Sequence, residues 1–411
     1  MSDQYVRRFL DDELSEVIRV HPAVLVVGPR ASGKTTTARR YAKSVVRLDR
    51  PAEAAAFVAD ADAALASFDE PVLLDEWQAV PGVLGAVKRA VDDDSRPGRF
   101  ILTGSIRADL VAETWPGTGR LIRLDMWGLS EREIVGSTGE RGPLAVLAAG
   151  DPMALGTPTA PPDLVGYIEL ALRGGFPDTA LRLDGSGRDR WLTSYLDQLL
   201  TRDAVDISGR DPVLLERYFE TLALNSAGIV ADNTIFGAAA VDRRTANAYE
   251  RLLSNLFVLD AVPAWLTNRL SRLVKTPKRY ITDASLIGAA LRMDARSVMK
   301  DGDILGRVID TFVAAQLRSE VAVSGLRPRL FHLRDKNGRH EIDLLVELSG
   351  DRVIAIEVKA SSAPSRADGA HIEWLRDTLG ERFVAGVVLH TSPSLFALSD
   401  RIAAAPIASL W

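Results

Sequence analysis

The sequence predicts an α/β protein: two α/β domains joined through a mostly helical middle. Three observations carry that expectation. Short apolar runs alternate with helical patterns from His21 to about Ile134. Leucines and aromatics recur three and four residues apart from Leu164 to about Asn268. Apolar strand-like runs return after Tyr280, separated by turns and a further helix. A chain of 411 residues is also too long for one ordinary hydrophobic core. Prolines and glycines gather between Gly142 and Pro162, as at a linker. The expected boundaries are therefore 1–145 for the first α/β domain, 146–205 for a linker and helical lid-like segment, 206–280 for the helical module and 281–411 for the second α/β domain.

Composition narrows the function classes. A 47% hydrophobic and 26% charged chain is an ordinary globular one. Its net charge of −5 argues against coating nucleic acid over the whole surface, so any such contact must be local. With no cysteine, disulfides, thiol nucleophiles and cysteine-based zinc sites are excluded, and the five histidines show no ligand spacing. The charged start MSDQYVRRFLDDELSE and the lack of a long apolar run give the expectation of a cytoplasmic protein with no membrane partner.

In the first domain the run Ala23–Val27 leads into G-P-R-A-S-G-K-T-T, that is Gly28, Pro29, Arg30, Ala31, Ser32, Gly33, Lys34, Thr35 and Thr36. This is a phosphate-binding loop by spacing: glycines let backbone N–H groups turn inward, and the following helix adds its positive end. Lys34 is expected to reach the β- and γ-phosphates of ATP, and the Thr35 hydroxyl to ligate Mg2+. The apolar run from Pro71 to Leu74 delivers Asp75, a metal carboxylate, and Glu76, which orients or deprotonates water. The plainer alternative is a solvated acidic pair at a strand end. A third run, Phe100 to Leu102, ends in Thr103, Gly104 and Ser105, placing a hydroxyl beside the γ-phosphate unless it is simply a capped strand exit. Arg120 stands in a loop suited to reach a nucleotide on a neighbouring subunit, with Arg123 an equal rival.

Together these residues resemble the AAA+ ATPases, in particular a bacterial and archaeal group with D-E-x-Q and L-T-G-S motifs, matched by Asp75-Glu76-Trp77-Gln78 and Leu102-Thr103-Gly104-Ser105. Its C-terminal half carries a G-G-[FY]-P signature, matched by Gly174-Gly175-Phe176-Pro177. Segments Tyr195 to Asp203, Tyr249 to Asp260 and Gly306 to Val313 are also similar to that pattern. The resemblance implies an AAA+ P-loop NTPase fold, Mg-ATP hydrolysis and a homo-oligomer, by analogy a hexameric ring.

In the middle, three helical patterns followed by a strand give the order of a winged helix-turn-helix, with Arg243, Arg244 and Asn247 near the start of the third helix, where such folds touch DNA. A protein-docking or lid role stays open. Beyond it Arg269, Arg272, Lys275, Lys278 and Arg279 form a basic run without an acid, flanked by Trp265 and Tyr280. That run suits phosphate neutralisation and base stacking, or else is a solvated hairpin. In the last domain Asp343 and Glu357-x-Lys359 sit on successive strands, where residues two apart share a face and adjacent strands bring carboxylates together around a metal. This is similar to the restriction-endonuclease-like core, with Asp310 as the extra acid where glutamate is more usual. A salt-bridged edge hairpin is the alternative, and a preserved site need not cut. The combined expectation is an ATPase acting on branched or damaged DNA. Its rivals are a non-cutting motor or clamp that binds or moves junctions, and a nucleotide-controlled switch docking a protein.

Overall fold

The valine-rich run Ala23–Val27 is buried along its whole length, as a strand covered on both faces must be. It lies in a computed structural model that describes residues 5–106, 119–139, 141–203, 211–266, 275–335 and 338–411. Backbone contacts divide the chain into two units. The first comprises Met1–Leu129, Phe176–Asp178 and Asn255–Phe257, and the second comprises Ser130–Gly175, Thr179–Ser254 and Val258–Trp411.

The first unit is a five-stranded sheet of β1 (Ala23–Val27), β2 (Ser44–Arg47), β3 (Val72–Asp75), β4 (Phe100–Gly104) and β5 (Leu121–Asp125), in the order β2-β3-β4-β1-β5. Every pairing is parallel. Helices cover it: Leu10–Val20 buries Leu10, Leu14 and Val17, while Val83–Asp93 buries Val83, Leu84, Ala86, Val87 and Val91 at helical spacing. Val72, Leu73 and Leu74 are fully buried. At about 1.5–3 kcal/mol for each such side chain, this run pins β3 so that Asp75 emerges at a fixed point. Because β4 lies between β1 and β3, the phosphate loop, the acidic pair and Thr103 leave neighbouring strand ends on the same edge of the sheet.

In the second unit, helices Pro212–Leu224, Asp232–Ala239 and Arg243–Asn255 pack through Tyr218, Phe219, Ile235, Phe236, Tyr249 and Leu253. They are followed by the antiparallel pair β6 (Leu259–Val262) and β7 (Lys278–Ile281). A six-stranded sheet completes the unit, with β8 (Arg329–Arg334), β9 (Glu341–Leu348), β10 (Arg352–Val358), β11 (Phe383–His390), β12 (Phe396–Ser399) and β13 (Ile402–Pro406) in the order β12-β13-β11-β10-β9-β8. Strands β8, β9 and β10 are antiparallel neighbours, whereas β10, β11 and β13 run parallel. Helix Gly302–Val321 precedes the sheet, and helix Ala370–Leu379 makes the crossover that a parallel β10–β11 pair requires. Among the described residues no helix is long and apolar enough to cross a membrane.

Candidate functional site

Two glycines shape the loop after β1. A Cβ at Gly28 would lie 1.9 Å from the carbonyl oxygen of Met126, so no other residue fits there, and Gly33 sits at φ +94°. The chain then enters helix Lys34–Ala38. The buried Lys34 ammonium donates to the carbonyls of Gly28 (3.0 Å) and Pro29 (2.7 Å). Burial lowers its pKa to about 8, although Glu76 and Asp75 pull the other way. The Ser32 hydroxyl is buried with no hydrogen-bond partner among the described residues. An ammonium held only by neutral carbonyls beside an orphaned hydroxyl suits an arriving triphosphate. Arg30, Ala31 and Thr36 are exposed on the rim, while Pro29 is buried.

The acidic pair is held by three hydroxyls: Thr35 after the phosphate loop, Thr103 on β4 and Ser105 just beyond it. Asp75 Oδ1 accepts from Thr35 Oγ1 (2.7 Å) and Thr103 Oγ1 (2.5 Å). Glu76 adopts a left-handed conformation at φ +55°, uncommon for a residue with a side chain. Its Oε2 accepts from Ser105 Oγ (3.1 Å) and from the Gln78 amide, which also reaches Ser105 at 3.2 Å. Gly104 between them is obligatory, since a Cβ there would stand 2.5 Å from the Trp77 indole nitrogen. Thr103 and Ser105 thus each serve one carboxylate. The adjacent Thr35 hydroxyl and Asp75 carboxylate are the hard oxygen ligands that Mg2+ takes.

Sequence reasoning missed Arg8. Its buried guanidinium donates to the carbonyls of Ser32 (2.8 Å) and Trp127 (2.7 Å), tying the loop to the chain beyond β5. Nothing in the charged N-terminal run marks this arginine. The Gly174-Gly175-Phe176-Pro177 signature also gains a physical reason. The Gly175 N–H donates to Asp283 (2.8 Å), a Cβ at Gly174 would strike Ser285, and the Pro177 ring would touch a Cβ at Gly33. Arg120 is half-buried and paired with Asp92 (2.8 Å), and Arg123 is exposed and paired with Asp125 (2.9 Å).

The C-terminal constellation assembles differently from its expectation. The β9–β10 register sets Ile356 opposite Leu344 and so brings Glu357 level with Asp343. Lys359 bonds Glu357 at 2.9 Å, as residues two apart on a strand should. Asp310 and Asp343, however, share Lys278 instead of a metal: its ammonium lies 2.5 Å from Asp310 Oδ2 and 2.8 Å from Asp343 Oδ1. Burial works to lower the Lys278 pKa, but Asp310 and Asp343 hold it well above the usual value. Burial and the Asp343 charge push Glu357 up to about 8. Among the described residues no group of three or more His, Asp or Glu is placed to hold a metal. The expected divalent centre of Asp310, Asp343, Glu357 and Lys359 does not fit the ion.

The basic run is corrected in the same way. Lys278 and Arg279 are almost fully buried, and Arg279 pairs with Asp232 (2.7 Å) and with Glu250, so neither is available to phosphate. Tyr280 and Trp265 are buried too, the latter donating to Glu347 (2.8 Å), and offer no face to a base. Lys275 is exposed, while Arg269 and Arg272 lie outside the described residues. Arg243, Arg244 and Asn247 are exposed together at the start of helix Arg243–Asn255, where Asp242 accepts from the backbone N–H groups of Arg244 (2.8 Å) and Thr245 (3.1 Å).

Residues 20–135 match the family model described as an AAA domain. Residues 165–297 and 305–410 match two domains of unknown function, DUF8612 and DUF4143. The chain is 28% identical over 408 residues to an uncharacterized protein of Mycobacterium tuberculosis and to one of Mycobacterium bovis, covering 97% of this chain and 83% of each relative. A Walker-type ATPase of Pyrococcus abyssi is similar with a TM-score of 0.44 and 14% identity, over 71% of this chain and 97% of that one. With the parallel sheet, its phosphate loop and the family match in agreement, residues 20–135 are an AAA-type P-loop ATPase domain.

Proposed function

We propose that this protein hydrolyses Mg-ATP and couples the cycle to engaging DNA without cutting it. The observation that carries the hydrolytic part is the bonded row Thr35–Asp75–Thr103 beside a buried Lys34 held by backbone carbonyls alone. Lys34 exchanges those carbonyls for β- and γ-phosphate oxygens, and Gly28 to Thr36 supply the backbone cradle. Thr35 and Asp75 hold Mg2+, which when bound neutralises the charge developing on the phosphates. Glu76, fixed by Ser105 and Gln78, orients the attacking water. In a ring, hexameric by analogy, Arg120 or Arg123 completes a neighbour's site. The Glu76→Gln protein is expected to keep nucleotide and lose turnover in a phosphate-release assay; unchanged turnover removes the assignment.

The DNA part rests on Arg243, Arg244 and Asn247, exposed at one helix start in a three-helix and hairpin order that fits a winged helix. The C-terminal sheet with its flanking helices fits the restriction-endonuclease-like arrangement. Lys278 between the carboxylates favours the non-cutting reading over a nuclease. Stimulation of ATPase activity by a panel of single-stranded, duplex and four-way DNA tests it. The expected result is stimulation that weakens in Arg243→Ala/Arg244→Ala without strand cleavage, whereas indifference to every DNA points to a protein-docking switch.

A further inference from the structure

The geometry points to Lys278 as the resident cation of the C-terminal carboxylate centre: its ammonium occupies the position between Asp310 and Asp343 that a divalent ion would take. The centre therefore holds no divalent ion while Lys278 is present, and becomes a metal site when it is removed. The inference stands on the second unit alone and is independent of the ATPase reading.

Each oxygen of the two aspartates already has a protein partner. Asp310 Oδ2 and Asp343 Oδ1 accept from Lys278, Asp310 Oδ1 accepts from the Tyr280 hydroxyl (3.1 Å), and Asp343 Oδ2 accepts from the Val358 N–H (2.9 Å). The third acid, Glu357, spends Oε1 on Lys359. Its Oε2 is buried without a partner among the described residues, and one free oxygen makes no divalent site. An ion arriving beside the ammonium would also meet like charge in a site shielded from water.

Lys278 cannot readily swing out of the way. It is 1% exposed and lies on β7, paired with Val262 of β6. Its successor Arg279 points the other way and is fixed by Glu250 and Asp232, so β7 carries buried cations anchored on both faces. Taking away the ammonium leaves Asp310 and Asp343 facing a vacated cation position, with the free Glu357 oxygen on the strand next to Asp343. Two facing carboxylates completed by water suffice for Mg2+ or Mn2+.

The test is a titration of Mn2+, read by electron paramagnetic resonance, into the nucleotide-free full chain. An Asp75→Asn background silences the phosphate-loop carboxylate. The parent is expected to bind no ion at micromolar Mn2+. The further Lys278→Met change is expected to tighten binding at least tenfold, to one ion per chain, an effect abolished by adding Asp343→Asn. Mn2+ binding by the parent that disappears with Asp343→Asn overturns the inference, as does a folded Lys278→Met protein with no gain. Should Lys278→Met fail to fold by circular dichroism, the parent titration with and without Asp343→Asn decides the matter alone.

Discussion

The two units each bury a lysine beside acidic groups, and the two lysines have opposite fates. Lys34 touches only backbone carbonyls through its ammonium, and burial brings its pKa down to about 8. Lys278 is clasped between Asp310 and Asp343 and held well above its usual value. The first ammonium has weak partners that a ligand can replace. The second has charged partners that no ligand displaces cheaply, since separating a buried pair strands both charges. Burial does not decide whether a lysine acts on a ligand; the charge of what holds it does.

The largest effect expected from breaking this comparison lies at the acting centre. Glu76→Gln should lower turnover by about 10²- to 10⁴-fold, the usual worth of a positioned general base. Because Lys34, Thr35 and Asp75 are untouched, calorimetry with Mg-ATP should show nucleotide still bound. The mirror change at the other centre is Lys278→Met. It removes one member of a buried pair and should cost about 3–5 kcal/mol in chemical denaturation, while Mg-ATP affinity per folded chain stays as it was.

Removing Lys34 should do the reverse to stability. Its folded pKa of about 8 lies below the unfolded value, so between pH 8 and roughly 10.4 the unfolded chain binds more protons. Stability of the nucleotide-free protein therefore rises with pH through that window, and below it the charged buried amine is a standing cost of up to about 3 kcal/mol. Lys34→Met should recover part of that cost near pH 7 in urea unfolding, flatten the slope above pH 8, and abolish nucleotide binding. A slope that persists in Lys34→Met would assign the titration to another group.

What the sequence made legible follows from range. The phosphate loop depends on glycines and a lysine a few residues apart, and β1 and β3 are apolar runs that need burial on both faces, so local spacing suffices. The sequence set the hydroxyls of Thr103 and Ser105 at a strand end, with the expectation of one beside the γ-phosphate; that they bond Asp75 and Glu76 instead follows from the position of β4 between β1 and β3. Lys278 and Arg279 read as an exposed basic run because their acids are far away in sequence, at Asp310, Asp343, Asp232 and Glu250. A charge run counts as surface only until the fold supplies buried partners. Arg8 was invisible for the same reason, since the backbone carbonyls of Ser32 and Trp127 that its guanidinium meets lie far along the chain.

The smallest effect sharpens the comparison through single hydroxyls. Thr103 is fully buried and nearly isosteric with valine, so Thr103→Val removes its bond to Asp75 while keeping the packing. The cost should be about 1–2 kcal/mol in stability. Asp75 keeps Thr35 but loses the partner that fixes its orientation, so the Mg2+ concentration giving half-maximal ATPase activity should rise several-fold. Tyr280→Phe is the matching change at the other centre, deleting a hydroxyl from Asp310 while Lys278 stays in place. It should cost a similar amount of stability and leave the Mg2+ dependence of turnover where it was. If both changes moved that dependence alike, the two carboxylate centres would be acting as one, and the contrast between the lysines would lose its meaning.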